Sequence, residues 1–308
     1  MEIVKLLNAL PGAAAQGLIW GIMAIGVYLT FRILDVSDLT VDGTMCTGGA
    51  VCIMCMLSGC NVWVAMLAAT GAGMLAGLVT GIFHTFMGIP AILAGILTQL
   101  SLYSINLKIM GKANQAINVD KYDLLVSLRY IKNVPLLQNT ILIVAIIIVA
   151  LIAILYWFFG TELGSSLRAT GCNPNMSRAQ GINTNRNKVL GLMLANGLVA
   201  FSSALLAQYQ GFADVNMGRG AIVIGLAAVI IGEAIFGRIF RNLAQKLLSV
   251  AIGSILYYLV LQTVIWMGID TDLLKLLSAL VVAFFLAFPY WKSKYFTKPV
   301  KRGGSSNA

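Results

Sequence analysis

Long apolar runs follow one another along this chain with only short polar breaks between them, which restricts what its backbone can do. In lipid, every peptide N–H and C=O must find its partner within the protein, and a helix achieves this segment by segment. A spanning helix needs about 20 mostly apolar residues. Applied along the chain, that rule places spans at 13–32, 43–60, 62–86, 88–109, 138–160, 188–209, 219–237, 247–267 and 272–291. The expectation is an all-α polytopic membrane protein of eight or nine transmembrane helices, one transmembrane domain over residues 1–308. Composition agrees. Only 10% of the residues are charged and 59% are hydrophobic, whereas a soluble domain carries about 25% charged residues.

The net charge of +10 does not form a nucleic-acid stripe. Basic residues collect in the breaks and in the tail 292–308, as on the cytoplasmic faces of membrane proteins. Lys292, Lys294, Lys298, Lys301 and Arg302 place that tail inside. Counting back puts Arg241, Lys246, Arg168, Arg178, Arg186, Lys188 and Arg32 inside as well, and the N-terminus outside. The segment 111–137 dissents, with Lys112, Lys121, Arg129 and Lys132 on the outer side.

Catalytic and metal chemistry find little material here. His84 is the only histidine, and it ends a span. Cys52 and Cys55 have CxxC spacing, but no second pair or nearby histidine accompanies them; cysteine here reads as a small apolar residue. No catalytic residue and no metal site is assigned. Gly73, Gly77 and Gly81 recur every four residues, as do Gly17 and Gly21. Such stripes let helices approach closely in lipid, within one subunit or across a dimer.

Two polar stretches interrupt the apolar pattern near bilayer depth: 35–44, leading to Gly48 and Gly49, and 208–220. One follows an outward-to-inward helix and the other an inward-to-outward helix. Interrupted segments at matching places in two opposed halves suit an inverted repeat around a transport pathway. The candidate pathway residues are Asp42, Thr44, Asn216 and Glu233. Asp42 has an alternative role as a cap of the second span. Glu233 lies within an apolar run, where a carboxylate is a functional candidate; the structural alternative is an ion pair with Arg238 or Arg241. Asn106 and Lys108 lie at the outer end of the fourth span, to meet a partner or solute or, for the lysine, to snorkel.

The polar, basic segment 161–187 carries its own helix punctuation. Asn173 can cap a helix start with its side-chain oxygen. Pro174 suits the first helical position, and Gly181 suits a left-handed end. The predicted result is a helix of about two turns outside the bilayer, a docking surface more than a linker. Its candidate coupling residues are Arg168, Asn173, Pro174, Arg178 and Gly181.

The stretches Leu167-Arg-Ala-Thr-Gly-Cys-Asn-Pro174 and Ala179-Gln-Gly-Ile182 resemble the cytoplasmic coupling segment of ATP-binding cassette importer permeases. The stretch from Ala24 to Gly43 is similar to the first block of the branched-chain amino acid and ribose permease superfamily. Ser104–Gly111 and Gly225–Glu233 resemble a subgroup linked to tryptophan or tyrosine uptake. The resemblance covers about residues 14–290. It implies a dimeric permease core, with a homodimer expected, in the bacterial cell membrane. It also implies an ATP-binding cassette ATPase docked on the coupling segment from the cytoplasm, and an extracytoplasmic solute-binding lipoprotein. The chain itself has no G-x-x-x-x-G-K-[ST] phosphate loop, so ATP is expected on the partner. The chain is then no enzyme and carries no cofactor. The expected function is import of a small solute, an amino acid and possibly an aromatic one. The rival is a stand-alone transporter driven by an ion gradient, which requires a titratable or Na⁺-binding cluster in mid-membrane.

Overall fold

The computed structural model describes residues 2–119, 121–122, 124–128, 139–237 and 239–267, with 273, 276, 279, 280, 282–284 and 287 beyond them. Helix α1 (Glu2–Tyr28) ends in a π-helical turn, Leu29–Ile33. There follow α2 (Thr40–Leu57), α3 (Val62–Thr85), α4 (Ala91–Met110), β1 (Asn114–Ala116) and α5 (Thr140–Gly160). Two short helices come next, α6 (Glu162–Cys172) and α7 (Pro174–Ala179). The chain continues through α8 (Thr184–Gln210), β2 (Phe212–Asp214), α9 (Ala221–Phe236) and α10 (Leu243–Trp266).

Seven of these helices are long and apolar enough to cross a membrane among the described residues. The eighth, α9, has 16 residues and rises only about 24 Å at 1.5 Å per residue. It is short because its start is set back inside the protein. The expected ninth span, 272–291, lies largely outside the described residues. Asparagine caps open several helices: Asn61 for α3, Asn139 for α5 and Asn183 for α8 each accept a hydrogen bond from a first-turn N–H. Gly111 and Gly211, both left-handed, close α4 and α8.

The packing has a repeating register. Helices α1 and α8 run antiparallel: the Ser202 hydroxyl donates to the Ile19 carbonyl at 2.7 Å, and the Tyr209 hydroxyl to that of Gly12 at 3.2 Å. Helix α2 runs parallel to α8, pairing Thr44 with Asn196, Gly48 with Ala200 and Cys52 with Ala204. The glycine stripe of α3 lies on α8, and that of α1 lies on α10. A Cβ on Gly77 would lie 2.3 Å from the Leu192 carbonyl oxygen, and one on Gly17 would lie 2.8 Å from the Ile255 Cα. Both stripes are therefore contacts within the subunit, and the choice that sequence left open is resolved.

If α1, α2 and α3 are matched to α8, α9 and α10, the first helix of each half packs antiparallel on the third helix of the other. This is the inverted relation expected from the two interrupted segments. The two-stranded sheet ties the halves together at one end, where Asn114 pairs with Asp214 and Ala116 with Phe212. The opposite end carries α6 and α7.

Candidate functional site

The two interrupted segments meet. After the π-helical turn the chain runs through 34–39, with Asp35 at φ +54°, a conformation aspartate tolerates better than most side chains. It then starts α2 inside the bundle. From the opposite end, the turn 215–220 descends beside α2 and starts α9. Asp42, in the first turn of α2, accepts hydrogen bonds from the N–H groups of Gly220 and Ile222, both at 3.0 Å. One carboxylate therefore joins two helix starts, where N–H groups and the helix dipole both favour negative charge. The cap role foreseen for Asp42 is real, but the helix it caps is α9 and not its own. Gly218 makes this approach feasible, since a Cβ there would lie 2.0 Å from the Asp42 carbonyl oxygen.

Beneath Asp42 a buried polar chain fixes the start of α2. Asp38 accepts from the Thr40 N–H at 2.9 Å and from the Asn196 side-chain amide at 2.7 Å. The Thr44 hydroxyl donates to the Asn196 carbonyl oxygen at 2.7 Å. Thr40 shares a hydrogen bond with Thr80 at 2.7 Å, and Thr80 with Thr98 at 2.9 Å, linking α2 to α3 and α4. Asp38 belongs to the interrupted stretch 35–44, whereas Asn196, Thr80 and Thr98, polar residues within apolar runs, were not singled out from sequence.

Two cavities flank this junction. One of about 130 Å³ lies between α2, α4 and the 215–220 turn, and Asp42, Asn106 and Arg219 are among its lining residues. The other, open and about 800 Å³, is lined by Trp20, Asn216, Arg219 and Tyr257 among others. Of the four pathway candidates, then, Asp42 and Asn216 border cavities on either side of one turn. Thr44 is fully buried in the α2–α8 contact. Glu233 is remote from them, at the α6–α7 end, in an ion pair with Arg32 of the π-helical turn. The expected partners differ: Arg241 is not the partner, and Arg238 lies outside the described residues.

At that end, the helix foreseen at Pro174 is present. The Asn173 side chain accepts from the N–H groups of Asn175 and Met176 at 3.1 and 3.0 Å. Gly181 follows in the left-handed region at φ +80°. Arg178 is exposed and donates through Nε to the Thr184 hydroxyl at 2.9 Å, bracing α7 against the start of α8. Met176, half exposed, is the apolar residue of this surface that sequence reading missed. The residues before Asn173 are not loop but α6, whose buried positions Gly164, Leu167 and Thr170 recur every third residue. Arg168 borders a cavity with Trp157 and Leu243, which no residue of α7 lines. The Asn187 amide donates to Thr170 at 2.9 Å and to Ser166 at 3.2 Å, fastening α6 to α8. Gly171 sits hard against the end of the π-helical turn, where a Cβ would lie 1.8 Å from the Ile33 carbonyl oxygen. Helix α7 is thus mounted, through α6, on the same turn that holds Glu233.

Several known transport proteins are similar to this chain. The model of the family described as branched-chain amino acid transport system / permease component matches residues 10–286. The chain is 37% identical over 281 residues to the tyrosine transport system permease protein of Clostridioides difficile, covering 91% of each chain. It is 35% identical over 280 residues to an uncharacterized protein of Rickettsia prowazekii, covering 90% of this chain and 96% of that one. A fructose import permease protein of Bifidobacterium longum is 26% identical over 252 residues, covering 80% of this chain and 67% of that one.

Proposed function

The chain belongs to the branched-chain amino acid transport system permease component family, and from that membership we propose that it is the transmembrane subunit of an ATP-binding cassette importer for an amino acid, an aromatic one by preference. It is a multi-pass protein of the bacterial plasma membrane, and its relatives are transport permease components. In the proposed assembly two copies form the core, and an extracytoplasmic binding protein delivers the solute. A separate ATPase binds the nucleotide and docks on the coupling segment 161–187, so that this chain needs no cofactor of its own. The preference for an aromatic amino acid draws on the tyrosine system named for the Clostridioides difficile relative.

The observation that carries the reading is the mounting of α7. A short exposed helix built from local caps presents Met176 and Arg178 outward. It continues into α6, which is seated without a gap on the Ile33 carbonyl. Pressure on α7 would reach α1 through that contact, and α9 through Arg32 and Glu233. Helix α9 in turn begins at Asp42, between the two cavities. Asn173, Pro174 and Gly181 shape the docking helix and Arg178 supplies its charge, while Arg168 adds a positive charge on α6, beside the cavity with Trp157. Tilting α9 about the Asp42 junction would reshape the larger cavity, which Val223 and Ile224 of α9 line, and this coupled movement is what the proposed transport cycle uses.

The test is co-purification of the permease with its ATPase. Arg178→Glu combined with Pro174→Gly removes the charge and the preset first turn together. Met176→Glu places a charge on the exposed face and leaves the Asn173 cap and Thr184 bond alone. Both variants are expected to lose the ATPase while the permease still purifies as a folded protein. Retention of the ATPase by both would remove α7 as the docking element.

A further inference from the structure

The smaller cavity contains a feature that packing does not explain. Asn106 is fully buried, and neither its amide nitrogen nor its carbonyl oxygen has a hydrogen-bond partner. Buried polar groups are nearly always paired, and leaving both ends of an amide unpaired costs stability. Asn106 lines the cavity of about 130 Å³, roughly ten times the ~10–15 Å³ that one water requires. Gln99, Tyr103 and Asn106 recur at spacings of four and three, so one face of α4 presents three polar groups toward the cavity. Across from them stand Asp42 and Arg219. Arg219 is exposed and makes no ion pair among the described residues. The N–H groups at the start of α9 are already occupied by Asp42, which leaves Arg219 as the cation open to a ligand.

We propose that this cavity is a solute subsite for the head group of an amino acid. The carboxylate lies on Arg219 and the Asn106 amide nitrogen, and the ammonium lies toward Asp42 and the Asn106 carbonyl oxygen. The solute's side chain leaves toward the exposed Tyr103. The proposal deepens the reading of the chain as an amino acid permease and rests on it. An Arg guanidinium suits a carboxylate by its forked donors, and a free amide completes a zwitterion by offering a donor and an acceptor at once.

The experiment is equilibrium binding of radiolabelled L-tyrosine to the permease–ATPase complex in lipid nanodiscs, without the binding protein. Tyramine, which lacks the carboxylate, is the comparison probe. Wild type is expected to bind L-tyrosine and to bind tyramine at least about tenfold more weakly, the scale of one lost charged hydrogen bond. Asn106→Leu and Arg219→Gln are each expected to weaken L-tyrosine by about tenfold or more. Asn106→Leu is also expected to raise the Tm of the ligand-free complex, because a side chain of similar size then replaces two unpaired polar atoms. A purely structural asparagine would lower it. If Asn106→Leu does not fold, Asn106→Ala is measured instead, with the same loss of binding expected. Unchanged L-tyrosine affinity in the variants, equal affinity for tyramine, or ATP-driven uptake with no measurable binding at millimolar probe overturns the subsite and leaves the importer reading standing. A wild type that neither takes up nor binds any amino acid overturns both.

Discussion

Asp42→Ala is expected to destabilise the folded protein by about 2–4 kcal/mol, because two backbone N–H groups at the start of α9 lose a charged acceptor together. The carboxylate accepts from Gly220 and Ile222 at 3.0 Å each, and the packed Gly218 leaves no room for a replacement group to swing in. Asp42→Asn keeps one oxygen and should fall between wild type and alanine. Thermal unfolding in detergent, followed by loss of monodisperse protein, ranks the three. If alanine matches wild type within about 0.5 kcal/mol, the ordinary range of a surface change, Asp42 is not what starts α9.

Gly171→Ala is expected to reduce ATP-driven uptake by about 5- to 150-fold, the range of a coupling energy of about 1–3 kcal/mol. The added methyl would lie 1.8 Å from the Ile33 carbonyl oxygen and 3.0 Å from the Leu34 Cα. Backbone cannot rotate aside as a side chain can, so α6 must lift off the π-helical turn. ATPase binding should persist, because α7 and its caps are untouched. Gly160→Ala is the control in the same region; its added Cβ meets nothing within 4 Å, so uptake should hold. Wild-type uptake in Gly171→Ala would mean that force reaches the bundle by another route.

What could be read from the residues follows the range over which each interaction acts. Helix α7 was legible because its signals are local: Asn173 caps, Pro174 opens and Gly181 closes within nine positions. The spans were legible because lipid demands about 20 apolar residues whatever the neighbours are; the fifth, expected at 138–160, runs from Thr140 to Gly160. Helix α6 was hidden because it lies outside the apolar runs and buries only a narrow stripe through Gly164, Leu167 and Thr170. Its polar positions match a loop in composition.

The site itself is non-local. The partners of Asp42 are 178 and 180 residues away, and no periodicity links them. Glu233 was expected to pair nearby, with Arg238 or Arg241, but it meets Arg32, 201 residues earlier. The antiparallel packing of the two halves brings those helix ends together. The glycine stripes announced close contacts, but only the register of α3 on α8 and α1 on α10 shows that both are internal. Thr44 shows the same non-locality: it lies at the end of a broken segment, and its hydroxyl is bonded to Asn196, 152 residues later, in the interior.

In the proposed assembly, energy enters from a separate ATPase through the end that carries α6 and α7. The most direct test reconstitutes the permease, its ATPase and its binding protein in liposomes and follows radiolabelled L-tyrosine uptake under two energy sources. Accumulation is expected with ATP and Mg²⁺ on the ATPase side, abolished when the ATPase is omitted, and none from a proton or sodium gradient alone. Accumulation by the permease alone under an ion gradient, without nucleotide, would contradict it.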